Sequence, residues 1–365
     1  MTQSSPKNRI IFIDLMRAFA VLQMVQGHTT DVLLSNDYRN VEYIGYSVWL
    51  FMRGMTAPIF LFSAGTVFTY LFRLVHKPFN ENSRVSKGLK RAVFLVFIGY
   101  MLRFPTPTLV DFSSVAEAQW ITFFSVDVLH LIGVSLFMVI TLIWISEKTK
   151  LGDSIIFTIA TLIFFLTSLY TEQVEWGNFL PAPLASDLYQ GTGSLFPLFP
   201  WSGYVLAGAV LGSYLAKKPG IFRSAKFSTW LLVAGIGIML FAQLVEYIEF
   251  YWLGEMRTWN TSPYLVFFRL GFVLVLNSIV SFISLKVESI PKLLVLLGRN
   301  TLLIYVFHLV ILYGSAWNAG ISLWFGKQLG VGTTISAALT MIILMCATVI
   351  IINKLKIKNK QLVTS

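Results

Sequence analysis

The sequence predicts an all-α fold, a polytopic integral membrane helical bundle of about ten transmembrane helices with both termini in the cytoplasm. Three observations carry this prediction: a deficit of charge, a recurrence of long apolar runs, and a basic bias that alternates between successive connections. Hydrophobic residues make up 56% of the 365 residues and charged ones 12%, against roughly 25% charged in a soluble domain. A chain this long could bury a sizeable soluble core, so the deficit points to lipid, where apolar side chains face outward.

Spanning a bilayer takes roughly 20 helical residues. Runs of that kind fall at 10–34, 46–72, 89–104, 120–146, 153–170, 196–215, 228–250, 262–284, 293–317 and 330–353. The third is short and ends at Arg103 and Pro105, and the fifth is also short. If the N-terminus and every second connection are cytoplasmic, the inner side holds Lys7, Arg9, Arg73, Lys77, Arg84, Lys87, Lys90, Arg91, Lys148, Lys150, Lys217, Lys218, Arg223, Lys226, Lys286, Lys292, Arg299, Lys354, Lys356, Lys358 and Lys360. Those are 21 of the 28 basic residues. The other side gathers acids, among them Asp31, Asp37, Glu42, Asp111, Glu172, Asp187 and Glu255. A single miscounted span would put the later connections out of phase with this bias.

The expected organisation is a cytoplasmic N-terminal tail over 1–9, one transmembrane domain over 10–353 and a basic cytoplasmic tail over 354–365. The first apolar run reads as a retained helix and not a removed signal peptide. The net charge of +11 suits a cytoplasmic rim facing anionic lipid and does not require nucleic acid. The one cysteine, Cys346, rules out an internal disulfide and a thiolate cluster. The four histidines show no metal-binding spacing, so no metal is expected. The connection from Tyr170 to Leu195, rich in breakers, reads as an outer loop able to cap an external cavity. Gly54, Pro58 and Gly65 interrupt the second run, and Pro58 is expected to kink it. Pro197 and Pro200 open the sixth run, and Gly203, Gly208 and Gly212 suit close helix packing.

Ionisable groups inside these runs are costly and therefore informative. In the first, Asp14 and Arg17 are three apart and can pair. Arg17 and His28 are eleven apart, which places them on one face about 16 Å apart along the axis. In the fourth, Asp127 and His130 share i,i+3 spacing, suited either to a carboxylate orienting a catalytic imidazole or to a structural clasp. The eighth holds Arg269 and Asn277. The ninth opens with Arg299 and Asn300 and carries Tyr305 and His308 on one face further in. His76 falls in a basic connection and reads as solvated. Arg84, Lys87, Lys90 and Arg91 suit either anionic lipid or the phosphates of a nucleotide-bearing donor.

Four stretches, RIIFIDLMRAFAVLQMVQGH, MTAPIFLFSAG, FPLFPWSGYVLAGAVLG and LLGRNTLLIYVFH, resemble in order the transmembrane acyltransferase superfamily, closest to bacterial relatives of heparan-alpha-glucosaminide N-acetyltransferase. The related acyltransferase-three families separate an arginine and a histidine in their first helix by ten residues, as Arg17 and His28 are here. Ala18 replaces a glycine common in the family. The resemblance implies a transferase of the bacterial inner membrane that moves an acyl group, acetyl above all, from cytoplasmic acetyl-CoA or another acyl-CoA to a carbohydrate hydroxyl or amine. It implies that Arg17 positions the donor, that His28 is the catalytic base, and that Arg299, Asn300, Tyr305 and His308 lie near the same site. His130 with Asp127, and His308, stay candidates for the base.

The resulting scheme is direct transfer. Arg17, with Arg84, Lys87, Lys90 and Arg91, grips donor phosphates, and a histidine takes the acceptor proton. A cation, tyrosine or asparagine steadies the tetrahedral oxyanion, with Arg269, Asn300 and Tyr305 as candidates. Expected partners are acyl-CoA, a carbohydrate or glycoconjugate and anionic lipid, with no nucleic acid; a homo-oligomer is compatible with the chain. The main alternative is a multi-span transporter of a small polar or anionic solute, which many spans and buried charges also suit.

Overall fold

In the computed structural model, residues 10–253, 262–287 and 291–364 are described. The tail 1–9, with Lys7 and Arg9, lies outside them, as do Glu255 and the outer turn at Asn260. The described residues form α1 (Ile11–Leu33), α2 (Ile44–Arg73), α3 (Ser83–Leu102), α4 (Glu117–Phe124), α5 (Val128–Thr149), α6 (Asp153–Thr171), α7 (Ala182–Leu188) and α8 (Leu198–Lys217). They continue through α9 (Ala225–Leu253), α10 (Pro263–Lys286), α11 (Lys292–Arg299), α12 (Thr301–Tyr313), α13 (Ser322–Phe325) and α14 (Val331–Thr364). A two-residue hairpin, β1 (Gly314–Ser315) and β2 (Asn318–Ala319), follows α12.

The protein is an all-α polytopic membrane bundle. Among the described residues, seven helices are long and apolar enough to cross a bilayer, and eight if the bent pair α11 and α12 makes one span. Of the ten expected runs, the first and third correspond to α1 and α3, which are diluted by Asp14, Arg17 and Asp31 and by Arg84, Lys87, Lys90 and Arg91. α2 runs unbroken through Pro58.

Two expected helices are interrupted. The fourth run breaks between α4 and α5 because Asp127 caps α5: its Oδ1 accepts from the backbone N–H groups of Leu129 (2.8 Å) and His130 (3.3 Å). This satisfies donors that a helix start leaves free. The ninth run is not one rod. It bends by 75° at Asn300, whose φ and ψ of −109° and 28° leave the helical region and whose side-chain amide donates to the Leu296 carbonyl at 2.8 Å.

The chain divides into two compact units, Met1–Ile10 with Pro58–Lys286, and Ile11–Ala57 with Val287–Ser365. In the first, a Cβ at Gly208 would run into the Phe62 carbonyl of α2, so the glycine seam of α8 permits backbone-to-backbone packing. The same unit is tied by Arg73, whose Nε and Nη2 donate to Asp153 at 2.7 and 2.6 Å and whose Nη1 donates to Glu147 at 2.6 Å. The connection between α6 and α8 is built of α7 and short 3-10 turns. It is stapled to the start of α5: Val126 N–H donates to Ser194 Oγ at 3.0 Å, and Ser194 Oγ donates to the Ser186 carbonyl at 2.6 Å.

In the second unit α1 is the packed centre, with Phe12, Met16, Ala20, Val21 and Val25 fully buried. Arg17 meets Thr301 near the start of α12 and His28 meets Tyr313 at its end, so these helices run in the same direction. α14 runs the opposite way, because the segment leading into it pairs with the end of α1, Ser35 N–H donating to the Leu329 carbonyl at 2.9 Å.

Candidate active site

The second unit collects most of the residues singled out in the sequence. Arg17, half-buried, donates from Nη2 to Thr301 Oγ1 at 3.3 Å. His28, three turns further along α1, has its ring centroid 5.4 Å from that of His308 and 6.1 Å from that of Tyr313. Its Nδ1 lies 3.3 Å from the Tyr313 hydroxyl. Both residues of α1 therefore face α12, as the eleven-residue spacing requires.

His308 is fully buried. Its Nδ1 lies 2.7 Å from the Ile304 carbonyl one turn back. A carbonyl only accepts, so Nδ1 carries a proton and, in the neutral ring, Nε2 presents its lone pair. That Nε2 is shielded from solvent and has no hydrogen-bond partner among the described residues. Tyr305 packs edge-on to the same ring, with centroids 5.7 Å apart at 79°.

Asp31, one turn beyond His28, is one of the acids that the charge pattern assigns to the outer side. It receives Arg53 Nη2 at 2.7 Å and Arg39 Nη1 at 3.2 Å. Arg39 also donates to the Leu34 carbonyl from Nε at 3.1 Å, closing the end of α1, where backbone acceptors lack helical partners. The Arg53 stem reaches the position a Cβ at Gly27 would neighbour (3.8 Å), and its guanidinium lies 5.7 Å from the Trp49 ring centroid. Sequence reasoning missed Arg53 and Tyr313. The available signals were the i,i+3 spacing of His28 and Asp31 and a lone arginine in the second apolar run.

At the other end, Gly298 rests on α1: a Cβ there would lie 2.7 Å from the Asp14 carbonyl oxygen. Exposed Arg299 and half-buried Asn300 thus sit between Gly298, which touches Asp14, and Thr301, which holds Arg17.

Asp127 and His130 belong to the first unit. Their spacing is that of a helix cap: the Asp127 N–H donates to His130 Nδ1 at 3.3 Å while the carboxylate caps α5. The imidazole fills the notch at Gly99, where a Cβ would come within 2.6 Å of the ring, and Tyr100 packs edge-on with centroids 4.4 Å apart. Arg103 Nε lies 3.8 Å from Asp127 Oδ2. The pair thus caps α5, and His130 Nε2 is buried with no hydrogen-bond partner among the described residues. Asp187, on α7, lies in the field of His130, and its burial pushes its carboxyl above the usual carboxylate range. Glu172 is raised by burial too, against the Gln190 N–H it accepts from at 3.2 Å.

Arg84, Lys87, Lys90 and Arg91 line the opening turns of α3 in the first unit, and none pairs with a carboxylate among the described residues. His76 is exposed and lines a pocket of about 310 Å³ with Arg73, Ser146, Gly152, Asp153 and Lys217. Cys346 is a free, half-buried thiol.

The family described as "Heparan-alpha-glucosaminide N-acetyltransferase, catalytic" matches residues 9–238, well over half of the chain. The match takes in Arg17, His28, Asp31, Arg53, Asp127 and His130 and ends before Arg299 and His308. Among curated proteins no match was found.

Proposed function

The chain belongs to the heparan-alpha-glucosaminide N-acetyltransferase family, membrane-bound enzymes that transfer an acyl group from acyl-CoA to a carbohydrate group, and on that premise we propose that transfer takes place at the His28–His308 pair of the second unit. One observation carries this reading: His28, on the α1 face that also bears Arg17, has its ring centroid 5.4 Å from that of His308 and its Nδ1 3.3 Å from the Tyr313 hydroxyl.

The acyl group is acetyl and the donor comes from the cytoplasmic side. Arg17, Arg299 and Asn300 engage its phosphates and pantetheine amides, because guanidinium and amide N–H groups suit those oxygens. The sixteen or so ångströms from Arg17 to His28 suit an extended pantetheine arm. His28 accepts the proton of the acceptor hydroxyl or amine as that atom bonds to the thioester carbon. The carbon–sulfur bond then breaks, CoA leaves as thiolate, and the proton held by the imidazole passes to it. Tyr313 orients His28 by accepting from its Nδ1–H, and Tyr305 or Asn300 steadies the oxyanion.

A second reading makes His308 the base, favoured by its fixed tautomer and its unpartnered Nε2. Folded His28→Ala separates the two. Loss of transfer with acyl-CoA binding intact supports His28, whereas near-normal turnover moves the role to His308. Arg17→Ala should raise KM for the donor.

The topology we read is ten spans with both termini inside: the seven apolar helices, the bent pair α11–α12, α1 and α3. The alternation of basic connections and the opposed directions of α1 and α14 support it. The membrane is the bacterial inner membrane. Arg84, Lys87, Lys90 and Arg91 meet anionic lipid headgroups there.

A further inference from the structure

Arg269 stands on α10, six residues past Pro263 and therefore about 9 Å along the helix axis. It is 3% exposed. Its Nε and Nη1 are shut off from solvent and have no hydrogen-bond partner among the described residues. Its guanidinium carbon lies 5.4 Å from the ring centroid of Trp201, itself 5% exposed, whose indole Nε1 is likewise buried and unpartnered. The Tyr204 hydroxyl neighbours Arg269 and donates its own hydrogen to the Val266 carbonyl at 3.2 Å. Among the described residues no carboxylate pairs with Arg269.

A guanidinium stays charged in a protein, and a charge buried without a counter-ion is costly, the more so within a membrane span. The face of Trp201 offsets part of that cost through cation–π attraction. Internal water would satisfy the N–H groups but leave the charge uncompensated. A small anion at one of them satisfies that group and compensates the charge as well.

We propose that Arg269 and Trp201 form a buried site for a small anion of the carboxylate or halide class, held at the Nη1 end of the Arg269 guanidinium with the indole N–H of Trp201 as a further donor. The ion is either free in solution or the carboxylate of a sugar acid. The site lies wholly within the first unit and does not depend on the acyl-transfer reading.

The test uses the full chain, purified in nanodiscs with a bulky sulfonate as the sole background anion. Thermal unfolding is followed by tryptophan fluorescence while sodium chloride, acetate or glucuronate is added. The expected result is a saturable rise in Tm for the wild type that is absent in Arg269→Gln. In Trp201→Phe the half-saturating concentration should rise about three- to tenfold, as for the loss of one hydrogen bond. A response to chloride or acetate identifies a free-ion site, and a response to glucuronate alone identifies a sugar acid. A wild type that responds to none of the three, or an Arg269→Gln protein that responds as the wild type does, overturns the proposal. If Arg269→Gln does not fold, Trp201→Phe decides, and an unchanged half-saturation overturns it. Acyl transfer by the same variants is measured separately, so failure of this site leaves the His28–His308 reading standing.

Discussion

Replacing Arg73 by Met should destabilise the first unit by about 3 kcal/mol, the low end of the range for removing one partner of a buried ion pair. Arg73 makes three charge-assisted hydrogen bonds, all between 2.6 and 2.7 Å. Its side chain is 20% exposed, that of Asp153 5% and that of Glu147 30%. Without the guanidinium, Asp153 would keep the hydroxyls of Ser146 (2.7 Å) and Ser213 (3.2 Å), which do not neutralise it, and the weaker attraction of Lys217, which is not in ion-pair contact. Glu147 can rehydrate and also accepts from the Phe79 N–H at 2.8 Å, which is why the low end applies. Reversible unfolding of the purified protein in sodium dodecyl sulfate, wild type against Arg73→Met, measures the difference. Adding Asp153→Asn should recover most of the loss, since it removes the stranded charge. A loss below about 1 kcal/mol, the scale of a surface pair, would refute the reasoning that burial sets the strength of this network.

The same titration on Arg53→Met should show a change under about 1 kcal/mol, because Arg53 and Asp31 are exposed at the 40% and 28% level and Arg39 still holds Asp31. Gly298→Val should cost about 1–3 kcal/mol by pushing α11 off α1, and kinetics should show a raised donor KM as Arg17 loses its seat at Thr301. Asp187 and Glu172 have raised folded pKa values, so their contribution to stability is full below the ordinary carboxylate range and lost as pH climbs through the raised values. Hydrogen exchange in residues 172–195 should therefore speed up from about pH 4 upward, once corrected for intrinsic exchange rates, and Asp187→Asn should flatten that dependence.

The membrane class and the face shared by Arg17 and His28 were legible because hydropathy and helical period act locally, within one segment. The partners across that face were not. Nothing in the spacing of α1 says that Thr301 and Tyr313 arrive from α12, or that the backbone of Ile304 sets the His308 tautomer, since both follow from packing between segments far apart in sequence. The i,i+3 spacing of Asp127 and His130 was visible, and its meaning as a cap depended on the chain breaking at Ser125. That break is set by Asp127 competing for the backbone donors of α5. The bend at Asn300 escaped for a similar reason: an apolar run reads as continuous until one side chain takes a backbone acceptor. Arg269 stood out as a charge in a span, but only the fold reveals that its guanidinium lies over the ring of Trp201.

The most direct test is single-turnover acyl transfer by folded His28→Gln, His308→Gln and the double variant, with saturating acyl-CoA and a carbohydrate acceptor. Groups that work as one proton-handling unit lose activity non-additively. Each single variant should fall by about 10²–10⁴-fold, and the double variant should fall no further. Wild-type rates in His28→Gln alone would move the base to His308, and wild-type rates in both single variants, or losses that multiply in the double, would contradict a shared site.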